Sequence, residues 1–451
     1  MPDPGGLHTD SSSQAQEEFV LSVFVRAFRT PDLRKKLLFT LGVLALFRLG
    51  STLPSPGVDE HAVRACLAAV QNNGLFNIVN LFSGGALLQL SVFALGIMPY
   101  ITSSIIVQLL IVVIPRLERL KEQGQAGQAK LTQYTRYLTI ALAILQSTGI
   151  VALARTGQLF NNQCSQPLLV SSSIWRISVL VVTMTSGTAV IMWLGELITD
   201  RGIGNGMSLL IFTSIASRFP QQGFAIYKTK GSFAFGMILL LGLVIITLIV
   251  FMEQGQRRIP VQYAKRMIGR RMYGGTSTYI PMKVNTAGVI PVIFASSLLY
   301  LPSLVGSLVQ KSHPGIYAFI LQNLSRQASW PYISLYFLLI IFFTYFYVAI
   351  TFNPVEVSDN MKKYGGFIPG IRPGRPTAEY LEFVLSRITL PGSLYLATIA
   401  VLPILALAVV GSTQQFPFGG TSVLILVGVG LDTAKQIESQ LMLRNYEGFL
   451  R

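Results

Sequence analysis

Long apolar stretches separated by short hydrophilic ones recur along this chain from residue 37 to residue 437. A spanning helix needs about 20 mostly apolar residues. The pattern predicts ten such spans, at 37–53, 93–114, 137–153, 174–197, 207–218, 232–252, 287–309, 332–353, 388–411 and 420–437. The fifth and tenth are short or broken by polar and glycine residues. No hydrophilic block between spans is long enough for a second, soluble domain. The expected fold class is an all-α integral membrane protein with one membrane domain.

Ten spans place both termini on one side, and the basic residues identify that side. Of the 35 Lys and Arg, 26 fall on the side of the termini and 8 on the other, with Arg48 inside the first span. Both termini are therefore expected in the cytoplasm. The organisation that follows is an amino tail at 1–36, a first transmembrane half at 37–218 and an external hinge loop at 219–231. A second half at 232–437 carries long basic cytoplasmic loops at 253–286 and 354–387, and a carboxyl tail covers 438–451. Five spans on each side of the hinge start with opposite orientation, which allows inverted repeats as in many transporters. No residue-level match between the halves supports the repeat, so it rests on span count. Asp3, Asp10, Glu17 and Glu18 in the amino tail make a cleavable signal peptide before the first span unexpected.

Residues 75–92 are apolar but interrupted by Asn77, Asn80, Ser83, Gly84 and Gly85. Irregular backbone at membrane depth survives only where protein or a water-filled cavity satisfies its polar groups. The segment fits either a re-entrant half-helix in a pore mouth or a surface-lying external segment. Pro99 and Pro291 fall within the second and seventh predicted spans, where each removes a backbone donor, as hinge or as simple bend. Ile97 and Ile101 share one helical face, as do Met207 and Ile211, a spacing that by itself means packing.

Composition agrees with lipid as the solvent: 51% of residues are hydrophobic and 12% charged, where a soluble domain carries roughly 25% charged residues. The net charge of +16 sits in short loops on alternate sides of the spans, without the aromatic–basic interleaving of a nucleic-acid binder. Cys66 and Cys164 are too few for a zinc site or disulfide scaffold. Both fall in predicted external loops, which permits a disulfide that two cysteines alone do not establish. A coupled transporter needs intramembrane ionisable groups, and the candidates Arg48, Glu196 and Asp432 all lie near span ends. His8, His61 and His313 lie outside the spans, so an intramembrane enzyme has no evident base. No phosphate-cradling loop is present, so a partner must supply energy.

Five motifs appear in order: A-L-G-I-M-P-Y-I-T-S-S-I-I-V-Q-L-L at 94–110, W-L-G-E-L-I-T-D-R-G-I-G-N-G at 193–206, Q-R-R-x-P-V-Q-Y-A-K-R at 256–266, N-x-A-G-V-I-P at 285–291 and G-F-I-P-G-I-R-P-G at 366–374. Together they closely resemble the SecY family of protein-conducting channels, from about residue 30 to 440, and R-K-K-L-L-F-T-L near the start resembles bacterial members.

The resemblance implies a central pore subunit that passes unfolded secretory polypeptides across the inner membrane and releases membrane-protein helices sideways. It places a pore ring at Ile97, Ile101, Met207, Ile211, Ile293 and Ile425. A re-entrant plug half-helix at 75–89 would include Asn77, Asn80, Phe82, Ser83, Gly84 and Gly85. A lateral gate between the second and seventh spans would carry Thr102, Ser103, Gln146, Ser296 and Ser297, polar groups able to hydrogen-bond between helices. Arg257, Arg258, Lys265, Arg266 and Arg372 would dock a motor ATPase or ribosome. The implied partners are the small membrane subunits SecE and SecG, the SecA motor, the ribosome, signal peptides, nascent clients and lipids. No cofactor, metal or catalytic residue is implied. Met207 stands where family members often have isoleucine.

Overall fold

The computed structural model describes residues 28, 30–69, 83–155, 168–169, 173–263, 266–268, 271–273, 277–309, 315, 323, 329–410 and 420–449. A helix lies over each of the ten predicted spans. These are α1 (Pro31–Thr52), α3 (Met98–Val113), α5 (Gln125–Arg155), α6 (Ile174–Arg201), α7 (Gly206–Ala216), α8 (Phe219–Gln254), α9 (Ile290–Val309), α10 (Trp330–Thr351), α12 (Arg375–Val410) and α13 (Gly420–Phe449). Three shorter helices join them: α2 (Glu60–Ala69), α4 (Pro115–Glu122) and α11 (Pro354–Lys363). Among the described residues, five helical stretches are long and apolar enough to cross a membrane. They become six if α3 and α4, which meet at 101°, count as one bent span.

Several elements depart from the sequence expectation for identifiable reasons. Pro99 and Pro291 occupy the first turns of α3 and α9, where the missing N–H has no helical partner anyway, so neither kinks a span. The proline inside α9 is Pro302. Residues 219–231, expected as an external hinge loop, are helical up to Gly231, whose φ of 81° breaks α8 in two. The expected carboxyl tail continues α13 to Phe449.

The second span begins at Met98 because residues 83–97 form a chain of turns. This stretch pairs with the end of α1: the Ser55 amide donates to the Leu90 carbonyl at 3.1 Å and the Val92 amide to the Leu53 carbonyl at 2.9 Å. Its apolar residues Leu87, Leu90 and Leu95 join Val63, Cys66, Ile150, Leu153 and Met184 in a buried cluster. Cys66 is fully buried and disulfide-bonded. The chain's other cysteine, Cys164, lies outside the described residues.

The two long basic loops fold as one unit. Strand β1 (Gln256–Tyr263) pairs antiparallel with β4 (Ser277–Lys283) and, on its other edge, with β5 (Gly366–Phe367). Strands β2 (Arg266–Ile268) and β3 (Arg271–Tyr273) form a small hairpin between β1 and β4. The sheet's apolar face, with Ile259, Val261 and Met282, packs on Leu381, Val384 and Leu385 of α12 and on Val348 of α10. A larger cluster at the centre of the bundle draws on α1, α3, α6, α7, α8, α9, α10, α12 and α13.

Candidate functional site

Of the six residues expected in the pore ring, Ile97, Ile101, Ile211, Ile293 and Ile425 belong to the large buried cluster at the bundle centre, and Met207 packs against it. Gly96, at φ 57°, turns the chain into α3. Ile97 precedes the helix, and its carbonyl accepts the Ile101 amide at 3.1 Å, which stacks the two side chains on one face. The Gly202–Asn205 turn sets α7. Asn205 caps the helix by accepting from the Met207 amide at 3.1 Å and the Ser208 amide at 3.4 Å. The Ile203 amide donates to Thr40 Oγ1 of α1 at 3.2 Å and the Gly206 amide to Thr199 Oγ1 of α6 at 2.9 Å. Met207 and Ile211 are thereby held against two neighbouring helices. Ile293 lies in the first turn of α9. The Tyr336 hydroxyl on α10 meets Thr421 Oγ1 at 2.9 Å and fixes the first turn of α13, one turn before Ile425.

Ile425 is 0% exposed, Ile97 2%, Ile211 3%, Ile293 7% and Ile101 8%, and Met207 packs half-buried against the same cluster. These six side chains present carbon and one thioether, with no hydrogen-bonding group or charge.

Of the expected plug residues, Asn77, Asn80 and Phe82 lie outside the described residues. Ser83, Gly84 and Gly85 are buried, and the described part of the segment, 83–90, consists of turns. Ser83 Oγ accepts the Leu87 amide at 3.1 Å. Arg48, the charge noted inside the first span, donates from Nη1 to the Gly84 carbonyl at 2.8 Å and to Ser51 Oγ at 3.3 Å.

Along the expected gate, α3 and α9 pack on one another, but their hydroxyls mostly serve their own helices. Thr102 donates to the Met98 carbonyl at 2.9 Å, Ser296 to Val292 at 2.6 Å and Ser297 to Ile293 at 2.8 Å. A hydroxyl one turn beyond a carbonyl reaches it without any partner helix. Ser103 reaches across, to the Thr135 carbonyl of α5 at 2.7 Å, and Gln146 of α5 is buried. The interhelical bonds expected between the second and seventh spans are thus absent among the described residues, and the α3–α9 seam is apolar contact.

Arg257 and Arg258 are exposed on β1, with Arg258 over the Tyr279 ring at 4.9 Å. Arg372 is exposed in the turn between Gly370 and Gly374, whose φ values are 83° and 104°. Thr377 Oγ1 donates to the Arg372 carbonyl at 2.9 Å and Ser358 Oγ to the Gly374 carbonyl at 2.7 Å, so the turn is braced from within. Arg266 lies in β2, and Lys265 lies outside the described residues. Through β1 and β5, Arg257, Arg258 and the turn carrying Arg372 share one platform, a join that no local sequence signal announces.

The ionisable groups near span ends are paired. Arg136 holds Glu196 with two parallel bonds at 2.8 and 2.7 Å, and Lys283 lies 3.5 Å from Asp432. Buried Asn285 donates to Glu253 and, at 3.1 Å, to the Gly288 carbonyl, which ties the end of α8 to the entrance of α9. A cavity of about 510 Å³ beside this joint is lined by Asn205, Ser208, Glu253, Lys283 and Asp432, among others.

Comparison with known proteins gives concordant results. A family model described as SecY matches residues 91–434. A protein of Streptomyces scabiei, called Protein translocase subunit SecY, is 65% identical over 440 residues, covering 96% of this chain and all of the relative. The same-named protein of Mycobacterium tuberculosis is 61% identical over 443 residues, with the same coverage. The solved structure described as "The structure of a protein conducting channel" superposes with a TM-score of 0.63 at 18% identity, covering 90% of this chain and 91% of that one. "Sec61 in the Canine ribosome-channel complex from the endoplasmic reticulum" gives 0.59 at 16% identity, covering 90% and 91%.

Proposed function

The chain belongs to the SecY family of protein translocase subunits, and from that premise we propose that its waist of Ile97, Ile101, Met207, Ile211, Ile293 and Ile425 is the ring through which unfolded polypeptides pass. The observation that carries this reading is the convergence of six aliphatic side chains from four helices on one dry cluster. A charged or hydrogen-bonding lining would bind a client. An aliphatic one closes by mutual contact and opens around whatever threads it, at a cost set by the apolar surface parted.

The rest of the machine follows from this premise. Ten spans in two inverted halves cross the inner membrane with both termini in the cytoplasm, and the segment at 75–89 is the plug on the external side. The seam between α3 and α9 is the lateral gate, where a signal peptide intercalates and a membrane-protein helix leaves for lipid. Dry contact suits that role, because lipid tails replace it with little penalty. Arg257, Arg258, Lys265, Arg266 and Arg372 dock SecA or a ribosome. The ribosome-bound relative supports the second partner. SecE and SecG complete the complex. Energy comes from the docked partner, and the chain itself is a passive conduit rather than an enzyme.

The deciding experiment places a photo-crosslinker at Ile101 and arrests a secretory precursor in mid-passage. The precursor is expected to crosslink at Ile101 and not at exposed Leu145 of α5. Passage without any contact at the six ring positions overturns the assignment.

A further inference from the structure

The cavity of about 510 Å³ beside the Asn285–Glu253 joint is short of hydrogen-bond donors at its buried end. Glu253 is 8% exposed and Asn285 3%. The Asn285 amide nitrogen is spent on Glu253 and on the Gly288 carbonyl, while its Oδ1 is buried with no donor among the described residues. Glu253 forms no ion pair among the described residues. Lys283, which also lines the cavity, is taken up by Asp432 at 3.5 Å on the more exposed rim, where Lys435 is exposed as well. Other polar neighbours are engaged: Asn205 Oδ1 caps α7, and the Thr286 hydroxyl donates to the Lys283 carbonyl at 2.8 Å. A buried carboxylate without a countercharge is costly, and so is a buried carbonyl oxygen without a donor. Here the two are side by side.

The cavity adjoins the central cluster. Ser208 follows Met207 on α7, Val289 precedes Ile293 of α9 by one turn, and Val429 follows Ile425 on α13 by one turn, and all three line the cavity. Its other walls include the ends of α8 and β4 and Thr351 at the end of α10, the ends that the basic residues of the sequence place toward the cytoplasm. A polypeptide approaching the proposed ring from that side passes the carboxylate.

We propose that this cavity is a receptor for a single alkylammonium or guanidinium group, the side chain of a lysine or arginine on a polypeptide at the entrance of the ring. Both groups carry donors and no acceptor, so either one supplies the charge that Glu253 lacks and the donor that Asn285 Oδ1 lacks. Water supplies only the donor, and an anion supplies neither. The side chain comes from the client about to thread or from a docked cytoplasmic partner. For its place on the client's path the proposal rests on the reading of the six aliphatics as the ring; the chemistry of the cavity does not.

The test uses the assembled translocase in vesicles with Ser208→Cys on the cavity wall. The cysteine is labelled with an ethylammonium methanethiosulfonate and with its ethylsulfonate counterpart, each rate normalised to that with a free thiol. The cationic reagent is expected to react on the order of tenfold faster than the anionic one, and E253Q or N285L is expected to remove most of that preference, the scale for loss of a hydrogen bond to a charged group. A ratio unmoved by both substitutions overturns the receptor. Should neither variant accumulate, ethylammonium chloride is expected to slow labelling of S208C by a neutral maleimide more than tetramethylammonium chloride does, since the latter carries the charge without an N–H. Equal effects overturn the proposal. Three loaded states then separate the sources: a precursor arrested with lysine at the ring entrance, the same precursor with glutamine there, and the docked partner alone. Stronger protection of S208C by the lysine precursor assigns the group to the client, and protection by the partner alone that E253Q abolishes assigns it to the partner. Protection that is the same for both precursors and indifferent to E253Q is plain occlusion and overturns the proposal. The Ile101 crosslink judges the ring separately. No charge preference with the crosslink intact removes the receptor and leaves the ring, and a charge preference without the crosslink does the reverse.

Discussion

Ile293 sits 7% exposed in the central cluster, on the first turn of the helix proposed to open sideways. Its role depends on having nothing polar to offer, so charge is the sharpest perturbation. Ile293→Asp is expected to raise resting conductance severalfold while leaving docking of the cytoplasmic partner intact, because a carboxylate recruits water into a gap that dewetting keeps closed. Single-channel recording of the reconstituted complex measures it, and unchanged conductance would count against the waist. Leu90 shows another residue-scale compromise. It is fully buried with φ at 47°, a conformation costing about 1–2 kcal/mol, offset by burial of its side chain. Periodicity made the Ile97–Ile101 and Met207–Ile211 pairs legible as shared faces. Only the assembled bundle brings them to Ile293 and Ile425.

Helices here approach through small residues. A Cβ on Gly187 of α6 would fall 2.1 Å from the Val92 carbonyl oxygen, and one on Gly206 of α7 would fall 1.9 Å from that of Gly195. Close approach of this kind drives helix association where lipid removes the ordinary hydrophobic driving force. Gly187→Val is therefore expected to destabilise by about 1–3 kcal/mol, the usual cost of overpacking. Because Val92 belongs to the turn segment that leads into α3, the damage should also reach the proposed pore. A lower thermal midpoint of the complex in detergent, together with a higher resting conductance, is the expected result. A wild-type midpoint would show that α6 and the segment do not touch. The turn segment itself was invisible to hydropathy, since Ser91–Ile97 is as apolar as a helix start. Its course depends on pairing with Leu53 and Ser55, contacts that a local window does not see.

At the scale of the molecule, the β4–β1–β5 sheet couples two loops about a hundred residues apart in the chain. One loop ends at the Asn285–Glu253 joint that leads into α9, and the other leads into α12. The platform is thus joined to α9 and to α12 together. Arg372→Glu is expected to cut partner-driven translocation about tenfold or more by setting like charge against an acidic docking face, with resting conductance unchanged. Translocation and conductance assays on the same preparation check both halves of that statement. Equal translocation would remove Arg372 from the docking surface.

Helix positions and family membership were readable in one dimension. Hydropathy needs only local composition, and motifs need only order along the chain. The central buried cluster, the sheet joining two loops and the arginines seated on Gly84 and Gly85 were not readable. Each depends on which residues far apart in sequence become neighbours, and that is settled by packing of whole helices. Arg48 shows the division well. Sequence marks it as an unusual charge in an apolar span, and only the folded chain supplies the carbonyl that makes the charge tolerable.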